Sequence, residues 1–302
     1  MSRTIQFFAA PNAWAIHLKQ ETSLCPGSCH IKLKPITIRD YLCRVMKRFI
    51  SLLIRYIPRK YLQRISGPGL KIAGLFLVGN KVTCPVCSKG FRKFLPYGRI
   101  NPRPNALCPN CLSLERHRLI WLYLKEKSTF FEKKQPVLHI APEACFIPRF
   151  QKIHQEQYIT ADLESPLAKV KMDIHHIPFQ ENYFDVVLCN HVLEHVADDI
   201  QAMKEIARVL KPGGFAILQV PFFHPVQDKT FSDPLITDRK VREKMFGQDD
   251  HVRKYGKDYP RRIEQAGLSA IEDDFVNTLS EAQRQKFGLV KGEIIFKAVK
   301  VS

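Results

Sequence analysis

Long apolar runs are absent from this 302-residue sequence. No stretch approaches the ~18 consecutive apolar residues that a membrane-spanning helix requires. The first residues, MSRTIQFFAAPNAW, also lack the longer apolar segment of a secretory signal peptide. We therefore expect a cytoplasmic protein with room for one large domain and a smaller one.

Acidic residues are scarce in the first half of the chain. Residues 1–135 hold 25 Lys and Arg against 5 Asp and Glu, whereas residues 136–302 hold 22 against 24. The formal net charge of +18 therefore comes from the first half, and the second half is close to neutral. Such asymmetry favours a phosphate-bearing partner for the first half, either a nucleic acid or an anionic membrane surface.

The N-terminal part of the basic half divides into two segments. Residues 1–38 show no sustained period and are expected to be poorly ordered. Residues 39–69 are predicted to form a basic helical arm and a linker, because apolar residues at helical spacing alternate with Lys and Arg between residues 40 and 65. Two interpretations stay open. The arm either lies on the inner surface of an anionic membrane, as in a peripheral protein, or packs on the main domain.

Four of the nine cysteines form two matched pairs. Cys84 and Cys87 make one C-x2-C pair, and Cys108 and Cys111 make the second. Each pair directs two thiolates at one ion, and two pairs complete the tetrahedral shell that Zn²⁺ prefers. Four protein ligands leave no open coordination position. We therefore predict a structural zinc in a module that spans residues 70–135, together with its following helix.

The stretch from Asp173 to Gly214 organises the second half. Phe184–Cys189 and Phe215–Val220 have the length and composition of buried strands. Between them lies a helix-period segment, which Lys211-Pro212-Gly213-Gly214 is expected to end. Strand, helix, turn and strand in this order predict a parallel crossover unit.

This stretch resembles the class I S-adenosylmethionine-dependent methyltransferases, and within them the small-substrate branch called type 11. The resemblance rests on DIHHIPFQENYFDVVLCNHVLEHV, followed by a helix that ends in VLKPGG. It implies an α/β fold with a seven-stranded, mostly parallel, Rossmann-like sheet over residues 136–302. It also implies S-adenosylmethionine as cosubstrate and in-line transfer of its methyl group.

The same resemblance implies a set of cosubstrate contacts. Asp162 occupies the place of the acid that binds the ribose hydroxyls, and Asp173 the place of the acid that contacts adenine. The chain departs from the family at the first strand, where a histidine stands at the usual acidic position and Ala-Pro-Glu replaces glycines. The full implied set is His139, Ala141, Pro142, Glu143, Asp162, Asp173, Ile174, Asn190 and His191.

Residues 227–257 form a polar insert that is predicted to cap the substrate pocket. Titratable and hydrogen-bonding side chains cluster there, and His251 is the first candidate for a general base because an unperturbed imidazole titrates near neutrality. His191 is the second candidate, whereas His195 is expected to be a packed histidine. The predicted substrate contacts are His224, His251, Arg253 and Tyr255.

Three functions remain open from the sequence. The first is methyl transfer to a small or anionic acceptor. The second is methylation of RNA, because Arg92, Lys93 and Arg103 are interleaved with aromatic residues between the cysteine pairs. The third is a non-catalytic zinc-containing binding protein with a degenerate methyltransferase domain, which the missing glycines favour.

Overall fold

The computed structural model describes residues 74–98 and 102–301, which belong to one compact unit of residues 59–302. The predictions for residues 1–38, for the basic helical arm at 39–69 and for its membrane contact lie outside the described residues. No helix within the described ranges is long and apolar enough to cross a membrane.

A cysteine module, residues 74–127, opens the described chain. It contains two antiparallel strand pairs and one long helix. Their bounds are β1 Val78–Thr83, β2 Gly90–Phe91, β3 Leu95–Tyr97, β4 Arg103–Leu107 and α1 Glu115–Lys127. The four cysteines lie on the loops that follow β1 and β4, which belong to two separate two-stranded sheets.

A seven-stranded sheet follows, in the order β12-β13-β9-β8-β5-β6-β7. Strand β13 is antiparallel to both neighbours, and the other pairs are parallel, which confirms the predicted α/β sheet and its terminal hairpin. The strands are β5 Val137–Ile140, β6 Tyr158–Asp162, β7 Val170–Lys171, β8 Phe184–Asn190, β9 Leu210–Gln219, β12 Ser269–Asp273 and β13 Ile295–Val299.

Six further helices and a small strand pair complete the described chain. The helices are α2 Ile147–His154, α3 Asp199–Val209, α4 Arg239–Phe246, α5 Tyr259–Gln265, α6 Phe275–Thr278 and α7 Glu281–Phe287, with a 3₁₀ turn at Gln155–Gln157. Strands β10 Phe231–Ser232 and β11 Arg253–Lys254 pair within the insert at 227–257. The insert therefore has secondary structure of its own.

The end of α3 differs from the prediction. The helix stops at Val209, and β9 already begins at Leu210, whose backbone is extended. The Lys-Pro-Gly-Gly segment therefore lies inside the strand, where the register with β8 shifts between Phe184 and Val186. Gly214 is required there, because a Cβ atom would meet the Lys211 carbonyl oxygen at 2.9 Å.

The two faces of the sheet carry separate apolar clusters. Successive residues of one strand, such as Val137 and Leu138, fall into different clusters because strand side chains alternate between faces. One face is covered by α3 and α5. The other face is covered by α2 and by the cysteine module, which contributes α1 and the buried Cys84 and Cys108. The sequence motifs change at the predicted domain boundary at residue 136. The apolar cluster on this face, however, contains residues from both sides of that boundary.

Arg118 joins the cysteine module to the C-terminal part of the chain. Its side chain is fully buried in α1 and donates hydrogen bonds to two carbonyl oxygens of the module. It also donates to the carbonyl oxygens of Phe287, at 2.6 Å, and Gly288, at 2.7 Å. Its guanidinium carbon lies 4.2 Å from the centre of the Phe94 ring. A buried charge that is satisfied in this way holds both segments in one arrangement.

Candidate functional site

The four predicted zinc ligands form one cluster. The Sγ atoms of Cys84 and Cys111 are 3.6 Å apart, and those of Cys87 and Cys108 are 3.7 Å apart. All four ligand atoms lie within 4.8 Å of one another. Tetrahedral coordination with Zn–S bonds of about 2.3 Å places sulfur atoms about 3.8 Å apart. The thiols therefore have the spacing that a zinc ion requires.

The two cysteine loops share one backbone geometry. In each, the residue after the second cysteine has a positive φ, 58° at Ser88 and 63° at Leu112. Each of these residues donates its amide to the carbonyl oxygen of the first cysteine in its own pair, Cys84 or Cys108. The Ser113 hydroxyl lies 3.2 Å from the Cys84 sulfur, where it can stabilise a thiolate. The match between loops separated by twenty-odd residues supports a common ligand.

A second site lies at the carboxyl edge of the sheet, where the parallel strands end. The chain order reverses between β5 and β8, and ligands of open α/β sheets bind at such a switch point. Glu143, in the loop after β5, and Asn190, at the end of β8, meet there. The Asn190 side-chain amide donates to Glu143 Oε1 at 3.1 Å. This bond bridges the two strand ends on either side of the reversal.

His139 orients the Glu143 side chain through a hydrogen bond to its carboxylate. The imidazole is fully buried, and its two nitrogens lie 2.6 Å from the Tyr158 hydroxyl and 2.5 Å from Glu143 Oε2. Burial alone would raise the pKa of Glu143, but the neighbouring His139 and further hydrogen bonds lower it to about 2. The crevice therefore contains an ionised carboxylate at neutral pH. His139, predicted to contact the cosubstrate, instead has both ring nitrogens engaged by protein groups.

The loop that replaces the glycine-rich turn keeps a glycine-like backbone. Ala141 has φ of 50°, in the left-handed region that normally favours glycine. Its amide donates to the carbonyl oxygen of Ala161 on the adjacent strand. The buried Pro142 and then Glu143 follow, and the Phe146 amide donates to the Glu143 carbonyl oxygen as α2 begins. The small side chain of Ala141 permits this turn without glycine.

The two predicted nucleoside acids lie at the same edge. Asp162 ends β6, and its Oδ1 accepts the amides of Glu164 and Ser165, so the second oxygen, Oδ2, is not used by these bonds. Asp173 follows β7, and its side chain is 53% exposed. The hydrogen bond that Asp173 accepts from the backbone amide of His175 is the main cause of the lowered pKa of Asp173. Ile174, predicted to pack on adenine, is buried beside it.

His191 stands at the junction of this edge with a large cavity. It adopts a positive φ of 55°, and its amide donates to the Gln219 carbonyl oxygen at 2.7 Å. Its Nδ1 lies 3.2 Å from Glu194 Oε1. The side chain is 27% exposed and lines the cavity. A left-handed histidine is uncommon, and here the backbone bond to the neighbouring strand holds it in place.

The cavity has a volume of about 800 Å³. It lies where β9 and β12 end and β13 begins, and the cysteine module supplies part of its wall. His191 and His224, both predicted to contact ligands, line it. Its charged lining consists of Arg103, Arg116, Lys257 and Lys291 together with Glu115, Glu272 and Glu293, and its apolar lining includes Val220, Pro221, Phe222, Val226 and Phe296.

Two lining residues were not among the site residues predicted from the sequence. The Arg116 Nε is buried and has no hydrogen-bond partner among the described residues. Burial raises the pKa of Glu293 to about 7, with the Arg116 charge acting in the opposite direction. Glu293 lies just before β13, and Arg116 lies in the first turn of α1. Neither position belongs to a sequence pattern that indicates a ligand-binding site. Only the fold brings them to one cavity.

The Glu293→Gln variant is expected to change how stability depends on pH. The pKa of Glu293 is about 7 in the folded protein, against about 4.3 in an unfolded chain. The folded state therefore keeps an extra proton between these values, and the resulting stability is lost as the pH rises through about 7. Between pH ~5 and ~8 the wild type should lose stability relative to the variant.

Urea unfolding across this pH range measures the effect. Glu272→Gln, at an exposed carboxylate of the same cavity, controls for the loss of a negative charge. Identical slopes for wild type and Glu293→Gln would contradict the proposed titration of Glu293.

The remaining predicted substrate residues lie in the interior. Arg253 is buried and donates hydrogen bonds to the carbonyl oxygens of the turn after β8, including those of Val196 and Ala197, both at 2.8 Å. The buried Tyr255 donates to Asp199 Oδ2 at 3.0 Å. His251 is buried as well, and burial lowers its pKa. The geometry favours structural roles, since these three residues are not part of the cavity lining within the described ranges.

Comparison with known proteins assigns a class to this arrangement. A family model described as a methyltransferase domain matches residues 144–218. The chain is 32% identical over 142 residues to the ubiquinone/menaquinone biosynthesis C-methyltransferase UbiE of Haemophilus ducreyi, covering 40% of this chain and 54% of that protein. It is 30% identical over 88 residues to a tRNA U34 carboxymethyltransferase of Campylobacter curvus, covering 28% of this chain and 30% of that protein.

Among solved structures, the YcgJ protein of Bacillus subtilis aligns with a TM-score of 0.41 and 17% identity, over 62% of this chain and 99% of that one. The chain spans about half the length of the Haemophilus relative and less of the Campylobacter one. Residues 144–218 thus match a methyltransferase domain, and the two relatives are named as transferases of methyl or carboxymethyl groups.

Proposed function

We propose that this protein transfers a methyl group from S-adenosylmethionine to a small anionic acceptor. The observation that carries the proposal is the pair of adjoining sites at one edge of the sheet. One site presents carboxylates at the switch point, and the other is a cavity of about 800 Å³ with four cationic side chains in its lining. His191 lies where the two sites adjoin.

The carboxylate site suits the cosubstrate. The Oδ2 of Asp162 is available to a ribose diol, because the backbone bonds of this carboxylate use Oδ1. Glu143 is ionised and attracts the positive charges of the sulfonium and amino groups. Asp173 and Ile174 provide an acceptor and an apolar surface for a purine base. His139 takes the part of a positioning residue that holds Glu143.

The cavity suits an acceptor of small size and negative charge. Arg103 is paired with Glu115, at 2.9 Å, but the buried Nε of Arg116 is free to donate. Lys291 adds positive charge at the rim, whereas Lys257 is paired with Asp228 at 2.8 Å, and Glu272 and Glu293 contribute carboxylates to the same lining. A buried donor without a partner costs about 1–3 kcal/mol, so an acceptor group on the ligand stabilises the complex by pairing with it.

The chemistry follows from these positions. S-adenosylmethionine, when bound, supplies an electrophilic methyl carbon whose bond to sulfur breaks as the bond to the acceptor atom forms. The chain is proposed to hold both reactants close to one another at adjoining sites, and such positioning supplies part of the rate. Where the acceptor must lose a proton, Glu293 receives it, because a carboxylate with a pKa near 7 is suited to act as a base at neutral pH. His191 is the nearer alternative on the side of the cosubstrate.

The four-cysteine cluster is proposed to hold a structural zinc. Cys84, Cys87, Cys108 and Cys111 fill a tetrahedral shell, so the ion takes no part in the reaction. Its contribution is to fix the module whose strand β4 and helix α1 carry Arg103 and Arg116 into the wall of the cavity.

RNA methylation is the second candidate, and one observation weighs against it. Phe91 and Phe94, two of the aromatic residues between the cysteine pairs, are buried in the module core, and among the aromatics of this segment Tyr97 is exposed. Contact of the first half with RNA, or of residues 40–65 with an anionic membrane, remains a proposal. RNA affinity that falls steeply with added salt would favour the RNA-binding role.

Calorimetric titration with S-adenosylhomocysteine and S-adenosylmethionine tests the proposed function. We expect micromolar binding by the wild type and at least tenfold weaker binding by Asp162→Ala, because the variant loses the acceptor for the ribose diol. Glu164→Ala, at the exposed neighbour in the same turn, is the matched control and should bind as the wild type does. Absence of binding by the folded wild type would support the non-catalytic alternative.

A further inference from the structure

Three side chains meet where the turn after β8 contacts the insert. Glu194 and His195 belong to the turn, and His251 belongs to the insert. Their ligand atoms all lie within 4.8 Å of one another. We propose that these residues bind a divalent transition-metal ion of the zinc class, at a site separate from the four cysteines. The inference does not depend on the proposed methyl transfer, because its geometry and its test both concern metal alone.

Two of the ligand atoms are buried without a partner. Glu194 and His251 are each 1% exposed. Within the described part of the chain, neither Glu194 Oε2 nor His251 Nε2 has a hydrogen-bond partner. A buried carboxylate oxygen and a buried imidazole nitrogen are both costly to leave unpaired. One cation placed between them satisfies both.

The protonation of the imidazoles is fixed by backbone carbonyl groups. His251 Nδ1 lies 3.0 Å from the Phe246 carbonyl oxygen, which can only accept, so Nδ1 carries the hydrogen and Nε2 presents a lone pair. His195 Nδ1 lies 3.3 Å from the Asp250 carbonyl oxygen and has the same tautomer. A ring nitrogen that donates to a carbonyl while the other faces the ion is the usual orientation of metal-binding histidines.

The two oxygens of the Glu194 carboxylate also have different roles. Its Oε1 lies 3.2 Å from His191 Nδ1, which leaves Oε2 for the ion. No ion pair within 4.0 Å joins Glu194 to His195 or His251 in the described structure. Ligands bound at about 2.1 Å to a tetrahedral ion lie about 3.4 Å apart, so binding requires the three ligand atoms to approach one another by up to about 1.4 Å. The present spacing is too long for direct hydrogen bonds.

The donor set determines the class of ion. Two imidazole nitrogens and one carboxylate oxygen match zinc and neighbouring transition metals, and they leave a fourth position for water. The His195 side chain is 33% exposed, which provides a path for the ion. The bound ion would fasten the insert to the turn and would hold Glu194, whose other oxygen positions His191 at the cavity.

Metal content of the purified full-length protein tests this inference. After equilibration with excess Zn²⁺ and removal of unbound metal, the wild type should contain one more zinc per chain than His251→Ala. The difference is independent of what the cysteine cluster holds. Glu194→Gln should weaken binding of the additional zinc at least tenfold, and His176→Ala, at an exposed histidine outside the cluster, should not change it.

His195→Ala guards against misfolding of the His251 variant. His195 is partly exposed, so its removal should leave the fold intact while it removes a ligand. The melting temperature of the wild type should rise with added Zn²⁺ by more than that of His195→Ala. Equal zinc content in the wild type, His195→Ala and His251→Ala would overturn the proposed site.

Discussion

Cys108→Ser is expected to lose the zinc of the cysteine cluster and most of the stability of the protein. Structural zinc contributes about 10–16 kcal/mol of apparent binding free energy in zinc-finger peptides, and in such domains this energy is folding energy. Cys108 is fully buried in the apolar cluster that the module shares with the sheet, so the damage is not confined to a surface loop. We expect a loss of more than about 5 kcal/mol, which lowers the melting temperature of a domain this size by at least about 10 °C.

Zinc analysis and thermal unfolding of the same samples provide the measurement. Cys189→Ala is the matched control, because Cys189 is equally buried but lies in β8 against the opposite face of the sheet. It should keep its zinc and lose about 1 kcal/mol for the small cavity it creates. A folded Cys108→Ser protein that holds as many zinc ions per chain as the wild type would show that the four thiols are reduced neighbours and do not form an ion site.

Asp199→Ala should produce the second large effect, by removing the charge at the centre of a buried network. Arg262 Nε donates to Asp199 Oδ2 at 2.9 Å, and the Tyr255 hydroxyl donates to the same oxygen at 3.0 Å. Arg253 Nη2 lies 3.7 Å from Oδ1. Removal of one partner from a buried ion pair typically costs about 3–5 kcal/mol, because the remaining charge stays buried without compensation.

The same network predicts a dependence on pH. Burial alone would raise the pKa of Asp199, but the hydrogen bonds and charges of Arg262 and Arg253 lower it below its ordinary value. The resulting stability is present above the unfolded pKa of about 3.9 and is lost as the pH falls through the lower folded value. Wild type and Asp199→Ala should therefore converge in acid.

Denaturant titrations at several pH values measure both effects. Asp198→Ala is the control one residue away, because exposed Asp198 only caps α3 through the Gln201 amide. Its loss should cost about 1 kcal/mol. An Asp199→Ala protein no less stable than Asp198→Ala would contradict the central role of this carboxylate.

The sheet was largely predictable because its strands are buried on both faces. Runs such as Phe184–Cys189 are continuously apolar, without the alternation of apolar and polar residues that a half-exposed strand shows. They also occur in a fixed order with their connecting helix. Strand β7 was missed, since two residues, Val170 and Lys171, are too short to form a pattern. The end of α3 was misplaced because Pro and Gly mark a break without saying whether a turn or a shifted strand follows.

The candidate site was predictable only where it follows one strand end. Asp162 and Asn190 are the last residues of β6 and β8, and Asp173 lies two residues after β7; the ends of parallel strands meet at a common edge. Arg253 looked like an exposed binding residue because its partners are backbone carbonyl oxygens, which leave no trace in the sequence. Glu293 could not be predicted for a related reason, since the residues that surround it and shift its pKa lie far away along the chain.

The bonds of Arg118 couple the substitutions that two distant segments can accept. This arginine of the cysteine module donates to the carbonyl oxygen of Gly288, and a side chain at position 288 would meet Arg118 at 3.0 Å and the Phe94 ring at 2.8 Å. A larger residue at position 288 therefore requires smaller neighbours in the module, and an enlarged module residue at this contact requires glycine at position 288.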